Sequence, residues 1–469
     1  MGLDTKTTTD QISLNAASHD HILLDDQRVE QLRQKKTSFS STEEFVCLLG
    51  IFFMVRLPWL FMIPMVEAPD EFAHYWVIKF LREHWRLPHA QEVFAGGPSA
   101  VYGSMPQLGY IPHVFSSLFM PYEDIALSGR FGSLLMGSLM LFAAFRIGCL
   151  LFKENKLMAL ALPLAIVFHP QLIFLHSYAN NDSTSSALAS ILILLAFESV
   201  ARGIAFKRTV LMGAIVGWVA ITKYSGLAII PVMGVAVLAS IFIHGTAIST
   251  AASSILCAGL VAAAVSLWWF VQNGVEYPGD PMGTKTMYKS WASTFHRDLN
   301  YYLPVSHIIK SLKWWRMMFF SFWGMFGYMN KYLWRPVYLV YTAMLIAAVL
   351  GWLNGMRKFA FQKARTFKFT RTNSKDIVMW SCLVLTVLIN LASMIWASVY
   401  NLGGPQGRYL FTSEIPVMAL LIGGMNLLGE KKAGRIAVCI FLAFNLAVAV
   451  GSWIYLFRLY GGWHINPLQ

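Results

Sequence analysis

Charged residues are scarce in this chain. They make up 13% of its 469 residues, whereas a soluble domain carries about 25%. Hydrophobic residues make up 56% of the sequence, and the mean hydropathy is +0.53. This balance excludes an ordinary soluble protein and indicates that lipid is the main solvent of the chain.

Cysteines and nucleotide-binding motifs are also few. The five cysteines all fall in apolar stretches, where they behave as small hydrophobic residues, so neither a disulfide framework nor a zinc site is predicted. The glycines form no phosphate-cradling loop, which argues against a nucleotide-binding domain. Residues 1–42 are polar and lack the apolar core of a signal peptide, and we expect them to form a disordered cytoplasmic tail.

Long apolar runs are abundant. A membrane-spanning helix needs about 20 mostly apolar residues, and nine stretches meet this requirement clearly. The run 209–242 is too long for one span and is interrupted at 221–226, so we interpret it as a tight hairpin of two spans. We therefore predict that 43–469 form an all-α integral membrane protein of about eleven transmembrane helices. The nine clear spans are 45–66, 129–151, 157–176, 183–201, 249–272, 337–355, 377–399, 411–428 and 435–457.

The distribution of Lys and Arg predicts the topology, because these residues gather in short cytoplasmic loops. The basic segments that precede the first span, follow the second and fourth, and precede the last all fall on one side. The most basic loop, 356–376, joins them only if the hairpin is real. The alternative is a single span at 209–242 together with a membrane crossing by the aromatic stretch 314–328.

The preferred topology places the N-terminus in the cytoplasm and the C-terminus outside. It leaves three outer loops, at 67–128, 273–336 and 400–410. It also explains the net charge of +13 without a nucleic-acid partner, which we do not expect.

A pair of carboxylates follows the first span directly. Pro69-Asp70-Glu71 begins a stretch whose aromatic residues recur every four positions, which predicts an amphipathic helix at the membrane interface, with His74 on the same face as Asp70. A carboxylate at the membrane surface loses hydration, and its raised proton affinity suits a general base. Asp70 is the leading catalytic candidate. The alternative is that Asp70 and Glu71 only cap the helix N-terminus.

A third carboxylate, Asp182, follows the third span in the string Asn180-Asn181-Asp182. It faces the same compartment as Asp70 in the predicted topology. Two carboxylates from separate loops could bind a divalent cation such as Mg²⁺ or Mn²⁺, with Asp70 and Asp182 as ligands, or they could divide the roles of base and orienting group. The alternative for Asn-Asp-Ser is an ordinary helix cap.

Two basic residues, Lys223 and Arg408, lie on the outer side, where the charge rule expects few. Each lies near a glycine and a tyrosine at the end of a span, a setting that suits an anionic ligand such as a lipid phosphate. The alternative is snorkelling to lipid headgroups. Arg56, in the middle of the first span, costs about 3 kcal/mol or more unless it is paired, and we expect it to pair across the bundle.

The chain resembles the GT-C superfamily of polytopic glycosyltransferases, and in particular the family 39-like bacterial proteins related to protein mannosyltransferases and the lipid A aminoarabinose transferase. The resemblance covers most of the chain beyond residue 45. It rests on short strings in a common order on one side of the membrane: Pro69-Asp70-Glu71 with His74 and Tyr75, Asn181-Asp182, Thr222-Lys223-Tyr224-Ser225, the segment 321–327, and Gln406-Gly407-Arg408-Tyr409.

The resemblance implies a GT-C type fold and an inverting transfer of sugar from a polyprenyl-phosphate donor in the bacterial inner membrane. In that picture Asp70 deprotonates the acceptor hydroxyl on the periplasmic side, while Glu71 and Asp182 orient the acceptor or a metal. Lys223 and Arg408 stabilise the departing phosphate. The remaining motif residues are expected to bind substrate: His74, Tyr75, Asn181, Tyr224 and Tyr409.

Two departures from the family pattern concern the acceptor. The Pro-Pro-Leu-Tyr-like string of many members is replaced by 105–110, and only about a dozen residues follow the last span. A glycan, a lipid or a small acceptor is therefore expected, with membrane lipids as the other partners. The rival function is a transporter or flippase of lipid-linked sugars, but transporters place their key charges near the bilayer midplane rather than at helix ends. A structural scaffold is a third and weaker alternative.

Overall fold

The computed structural model describes residues 42–121, 124–294, 296, 302–366, 371–400 and 404–464, and it describes side chains in these ranges except at 359–366 and 371–373. The fold is all-α, with one two-residue β-hairpin. The predicted tail therefore lies outside the described residues, apart from Thr42. The helices are α1 Thr42–Leu60, α2 Glu71–His84, α3 Ala90–Ala95, α4 Ile111–Ser117, α5 Ile125–Leu151, α6 Lys156–Phe168, α7 Pro170–Leu175, α8 Asn181–Arg202, α9 Phe206–Ala220, α10 Ile230–His244, α11 Ile248–Glu276, α12 Thr284–Thr294, α13 Val305–Lys310, α14 Leu312–Trp323, α15 Arg335–Thr366, α16 Arg371–Val399, α17 Glu414–Asn426 and α18 Lys431–Leu459; strands β1 Met325–Phe326 and β2 Lys331–Tyr332 lie between α14 and α15.

All of the apolar stretches predicted to span the membrane are helical, which confirms the prediction of an all-α membrane protein. Within the described ranges, seven helices are long and apolar enough to cross a membrane: α5, α8, α10 with the 3-10 turn before it, α11, α15, α16 and α18. The other four predicted spans correspond to shorter or more charged helices: α1, α6 with α7, α9 and α17. Helices α15 and α16 also extend into the residues predicted as the basic loop 356–376.

The helices alternate in direction between two ends of the bundle. At one end, the basic end, Lys156 forms an ion pair with Glu44, Lys153 lies 2.7 Å from Asp376, and Lys375 donates to the Ala201 carbonyl at 2.7 Å. At the opposite end, Leu303 N donates to Val399 O at 3.0 Å, and His464 N to Phe61 O at 2.6 Å. The basic segments within the described ranges thus gather at one end, as the charge pattern predicted, with Lys358 also donating to the Gly429 carbonyl just before α18.

The run 209–242 is split, as predicted, but it is not a tight hairpin. Helix α9 ends at Ala220, a 3-10 turn covers Tyr224–Ile229, and α10 returns to the basic end, where His244 Nε2 lies 3.0 Å from the Val200 carbonyl. Helix α9 packs mainly against α11 and also contacts α8, whereas α10 packs against α8 and α16. The alternative with one span here and a crossing at 314–328 is wrong, because α14 ends at Trp323 and leads into the β-hairpin.

Arg56 has the structural role predicted for it. Pro170 begins α7 and breaks the helix between α6 and α7, because it has no N–H to donate to the Ile166 carbonyl. The fully buried Arg56 guanidinium fills this gap by donating to Ile166 O at 2.8 Å and to Val167 O at 2.9 Å. It also donates to His176 Nδ1 at 3.2 Å. The charge in the first helix therefore caps the break in the third span.

Candidate active site

A buried ion pair positions the loop after α1. Glu71 accepts two bonds from Arg130 on α5, at 2.7 and 2.6 Å, and both side chains are fully buried. Arg130 also donates to the carbonyls of Leu60 and Ile63, and Glu71 accepts from Ala179 N at 2.8 Å. This network joins the end of α1, the start of α2 and the loop before α8. It uses both oxygens of Glu71 in structural contacts.

Asp70 occupies the N-cap position of α2 but does not cap it. Its backbone is left-handed, with φ 63° and ψ 4°, and its side chain makes no capping hydrogen bond. The carboxylate instead accepts from Arg408 at 2.7 Å, more than 300 residues along the chain. Left-handed non-glycine residues are strained and cluster at functional sites. The capping alternative for Asp70 is therefore wrong.

Asp182 does not cap its helix either. The cap of α8 is Asn180, whose side chain accepts from Ser183 N at 2.8 Å. Asp182 lies in the first turn and accepts from Lys223 Nζ at 2.6 Å. Asn181 donates to the Thr222 carbonyl at 3.4 Å. The first turn of α8 thus holds the 222–223 segment, and Asp182 is free of any capping role.

Tyr409 links the two ion pairs. Its ring centroid lies 5.2 Å from Lys223 Nζ and 5.5 Å from Arg408 Cζ. Arg408 also donates to the Tyr178 hydroxyl at 3.4 Å. The two ion pairs and the ring between them therefore form one cluster at the end of the bundle opposite the basic end. Its members are Asp70, Arg408, Tyr409, Lys223 and Asp182. We call this set the charge cluster.

The segment that carries Arg408 and Tyr409 is tightly held. Gly407 begins a 3-10 turn, and a Cβ at this position would collide with the backbone of Phe322 on α14. Gly407 N donates to Ser321 Oγ at 2.7 Å, and Asn390 on α16 donates to Ser413 Oγ at 2.7 Å. The glycine is required because α14 and this turn approach each other at backbone distance.

A pocket of about 340 Å³ opens on the charge cluster. Asp70, Lys223 and Arg408 supply its charged groups, and the polar side chains of Gln406 and Asn390 lie on its wall. The apolar and aromatic part of the lining comes from Val101, Tyr102, Met105, Met287, Tyr288, Trp291, Met394, Ala397 and Tyr409. The pocket lining thus combines charged groups with apolar and aromatic ones, as an amphiphilic ligand requires.

The structure separates the predicted substrate-binding residues into two groups. Lys223, Arg408 and Tyr409 line the pocket, and Asn181 donates to the carbonyl of Thr222, the residue before Lys223. His74 is 3% exposed and lies behind Tyr102, with Nδ1 2.5 Å from the Tyr110 hydroxyl.

Two of the predicted tyrosines lie outside the pocket lining. Tyr75 follows His74 on α2, and Tyr224 donates its hydroxyl to the Met282 carbonyl at 2.8 Å, which fastens the start of α12. The pocket residues that the sequence analysis missed include Tyr102, Tyr288, Trp291 and Asn390, which carry no charge and therefore do not depart from the topology rule.

Electrostatics set the protonation of the two groups at the start of α2. Burial acts to raise the pKa of the Asp70 carboxyl, but the nearby charges of Arg408 and Lys223 outweigh it and hold that pKa below its usual value. Burial lowers the pKa of His74 to about 3, so His74 is neutral at neutral pH. Asp70 is therefore an ionised carboxylate beside a neutral imidazole.

The predicted metal ligands do not form a closed metal site. Within the described part of the chain, no group of three or more His, Cys, Asp or Glu side chains is placed to hold an ion. Asp70 and Asp182 are each bonded to a cationic side chain instead. The donor set suits an anion shared between Arg408 and Lys223 better than a protein-bound divalent cation.

These features define a polytopic all-α membrane protein with a charge-balanced pocket at one end of its helical bundle. No protein family profile matches the chain, and none of the curated proteins matches it. Among solved structures, the chain is similar to the crystal structure of ArnT from Cupriavidus metallidurans in the apo state, with 13% identity over 83% of this chain and 77% of that one. The TM-score of this likeness is 0.38, which is too low for any residue role to be carried over from it.

Proposed function

We propose that this protein is a glycosyltransferase that moves a sugar from a polyprenyl-phosphate donor to an acceptor hydroxyl at the membrane surface, with inversion at the anomeric carbon. The observation that carries the proposal is the charge cluster itself, with an ionised carboxylate and two cations on a pocket whose remaining lining is largely apolar and aromatic. The carboxylate can act as a base, the cations can bind a phosphate, and the apolar residues can contact a lipid chain. It agrees with the resemblance to the GT-C superfamily.

The two cations have the task of binding the donor phosphate. Each is neutralised by a carboxylate, Arg408 by Asp70 and Lys223 by Asp182, so the cluster carries no net charge. A phosphate that enters the pocket competes with these carboxylates for the cations, and a guanidinium can bind two of its oxygens at once. When Arg408 turns to the phosphate, Asp70 loses the nearest of the positive charges that lower its pKa and becomes a stronger base.

The residues of the charge cluster account for every proton and electron pair that moves in the transfer step. The acceptor oxygen attacks the anomeric carbon from the face opposite the phosphate, and its proton passes to Asp70. The bond between the anomeric carbon and the phosphate oxygen breaks, and the electron pair stays on the phosphate. The additional negative charge is stabilised by Lys223 and Arg408. Asp182 orients Lys223, and we assign Glu71 a structural role because Arg130 and Ala179 N occupy its oxygens.

The carrier chain has an apolar path next to the pocket. An open cavity of about 830 Å³ lies between α15, α16 and α17, with Trp352, Trp380 and Leu388 in its lining. Residues 390–397 of α16 line the pocket at the charge cluster, and residues 380–388 of the same helix line this cavity. A chain held by its phosphate at the cluster can therefore continue along α16 among apolar side chains.

The rival proposal is a transporter or flippase that binds the same amphiphile without bond chemistry. The position of the charges favours the enzyme, because Asp70 and Asp182 lie at the ends of helices where a substrate from the aqueous side can arrive. Transporters bind near the bilayer midplane. The two functions also differ in product, since a flippase leaves the sugar on its carrier.

The decisive assay follows the sugar. Purified full-length protein in nanodiscs is incubated with polyprenyl-phosphate hexoses and pentoses labelled in the sugar, with an envelope lipid and glycan extract as the source of acceptor. We expect the label to move into the extract and free polyprenyl phosphate to accumulate. Donor that is bound but remains intact under all conditions would overturn the enzyme and favour the flippase.

The phosphate-binding role is tested by Lys223→Met and Arg408→Met. Each variant is expected to weaken donor binding by about tenfold or more, because a charge-assisted hydrogen bond is lost. Lys153→Met is the control, since Lys153 forms an ion pair at the basic end. Unchanged affinity in both site variants would remove the cations from the proposal.

No step is assigned to a divalent cation, because an ion between Asp70 and Asp182 would need Arg408 and Lys223 to leave. We expect EDTA to leave the transfer rate largely unchanged. A loss of activity that Mg²⁺ or Mn²⁺ restores would return the ion to the mechanism, with Asp70 and Asp182 as its protein ligands and the donor phosphate supplying further oxygens.

A further inference from the structure

Tyr102 lies on the pocket wall and has no role in the chemistry above. It is carried by the 3-10 segment Gly97–Ser104 in the loop after α1. One face of its ring is stacked on His74, with ring centroids 4.7 Å apart and planes inclined by 5°. Because that face is covered, the surface that Tyr102 offers to the pocket is its other face and its hydroxyl edge.

The ring is held from behind. The His74 imidazole, on which Tyr102 stacks, is fixed by its contact with the Tyr110 hydroxyl at 2.5 Å. His74 is 3% exposed, so the stack is closed on the protein side. An aromatic ring backed in this way keeps its orientation when a ligand is absent, which lowers the entropic cost of binding against it.

The segment that carries Tyr102 is also fixed along its backbone. A Cβ on Gly103 would lie 2.6 Å from Val93 Cγ2 and 3.0 Å from the Trp76 ring, so the segment packs directly on α2 and α3. Ser104 Oγ donates to the Gly283 carbonyl at 3.2 Å, and Asn273 donates to the Ser104 carbonyl at 3.3 Å. The platform is therefore built into the fold on both sides.

The hydroxyl of Tyr102 is the second feature that suits this residue to bind a sugar. It makes no hydrogen bond within the described part of the chain, although it lies near the charge cluster, within the electrostatic influence of Asp70 and Arg408. A pyranose presents an apolar face of C–H groups and an edge of hydroxyl groups. A flat aromatic face with a hydrogen-bonding hydroxyl at its edge matches both parts of such a ring.

We propose that Tyr102 is the stacking platform for the pyranose ring that is transferred, and that His74 acts behind it as a positioning residue. This inference rests on the proposed function and adds a sugar subsite to it. Asp70 lies on the same pocket as Tyr102, so a sugar stacked there has its anomeric carbon within reach of both the phosphate-binding cations and the base. Tyr102 thus contributes to recognition of the sugar and not of the lipid phosphate.

The test compares two ligands, a polyprenyl-phosphate hexose and the same polyprenyl phosphate without sugar. In Tyr102→Leu we expect affinity for the sugar-bearing lipid to fall about tenfold while affinity for the sugar-free lipid is unchanged. Tyr102→Phe keeps the ring but loses the hydroxyl, so its affinity for the sugar-bearing lipid is expected to lie between those of the wild type and Tyr102→Leu. Tyr332→Leu is the control, because Tyr332 lies on β2 outside the pocket.

The outcomes distinguish a failure of the sugar subsite from a failure of the proposed function. Equal weakening of both lipids in Tyr102→Leu would make Tyr102 a structural residue and overturn the subsite. No weakening of either lipid would also overturn it. If the wild type binds the sugar-free lipid as tightly as the sugar-bearing one, the subsite fails while the phosphate site stands. If the wild type binds neither lipid, the proposed function fails.

Discussion

Asp70 and Arg408 form the contact on which the chemistry depends. The carboxylate is about one-third exposed and the guanidinium about one-tenth, so the pair lies at the boundary between pocket and interior. Burial alone would raise the pKa of Asp70, and the positive charge of Arg408 reverses this effect. Arg408 therefore keeps the base ionised in the resting site, and it is also the group that the donor phosphate can take away.

The pH dependence of kcat/KM is expected to shift when Arg408 is changed. A base works only when ionised, so a pKa below the usual range places the acid limb of kcat/KM at low pH. Arg408→Gln removes the opposing charge, which raises the pKa of Asp70 and moves the acid limb to higher pH. The midpoint is measured in the residual activity of the variant. An acid limb that does not move would show that Asp70 is not the titrating base.

The charged members of the site could be predicted from the sequence, whereas its neutral members could not. Lys223 and Arg408 were predicted because positive charge at the outer end of an apolar helix is unusual, and Asp70 and Asp182 because carboxylates in outer loops at the membrane surface suit a base or a cation site. Glu71 was expected, from the resemblance, to orient the acceptor or a metal, and only the structure pairs it with Arg130.

Tyr102 lies in a loop rich in other aromatic residues, and no local pattern distinguishes it. Its role as a sugar platform is inferred from the ring stack with His74 and from the position of the segment Gly97–Ser104 beside the pocket. Both are long-range consequences of how that segment packs on α2 and α12.

At the scale of elements, the Glu71–Arg130 pair connects α2 to α5 and thereby places Asp70. Removing one partner of a buried ion pair leaves the other charge uncompensated, which costs about 3–5 kcal/mol. Glu71→Gln should therefore destabilise the protein by about 3 kcal/mol or more, measured as thermal unfolding in detergent. Glu83→Gln is the control, because the ion pair of Glu83 with Lys79 is long, at 3.9 Å, and partly exposed, whereas both side chains of the Glu71–Arg130 pair are fully buried. A Glu71→Gln protein as stable as the control would contradict the structural role of Glu71.

Element boundaries followed from the sequence where apolar length and charge agreed. The break at 221–226 was predicted because 34 residues exceed one span. The packing partners of the two resulting helices were not predictable, since their apolar faces look alike in sequence. Small residues determine the packing partners of both helices. Gly213 and Gly217 on α9 let the backbone of α11 approach closely. Ser240 on α10 donates to the Ser199 carbonyl of α8 at 2.6 Å.

For the whole molecule, the alternation of helices brings the charge cluster to one end and the basic segments to the other. Which end faces the cytoplasm stays a prediction of the charge rule. In intact cells, and with the native cysteines replaced, a cysteine at Thr366 should be shielded from an impermeant thiol reagent, and one at Gln406 should react. Thr366 ends α15 at the basic end, and Gln406 lies on the pocket wall. The reverse labelling pattern would place the site in the cytoplasm and exclude an extracytoplasmic transferase.

The central claim is that the Asp70 carboxylate is the base of a sugar transfer at the charge cluster, and the most direct measurement is the transfer rate of Asp70→Asn with a polyprenyl-phosphate sugar donor. The account predicts a rate at least about a hundredfold below that of the wild type, with donor still bound. Asp376→Asn, an ion-paired aspartate at the basic end, should keep the wild-type rate. Wild-type transfer by Asp70→Asn would contradict the account.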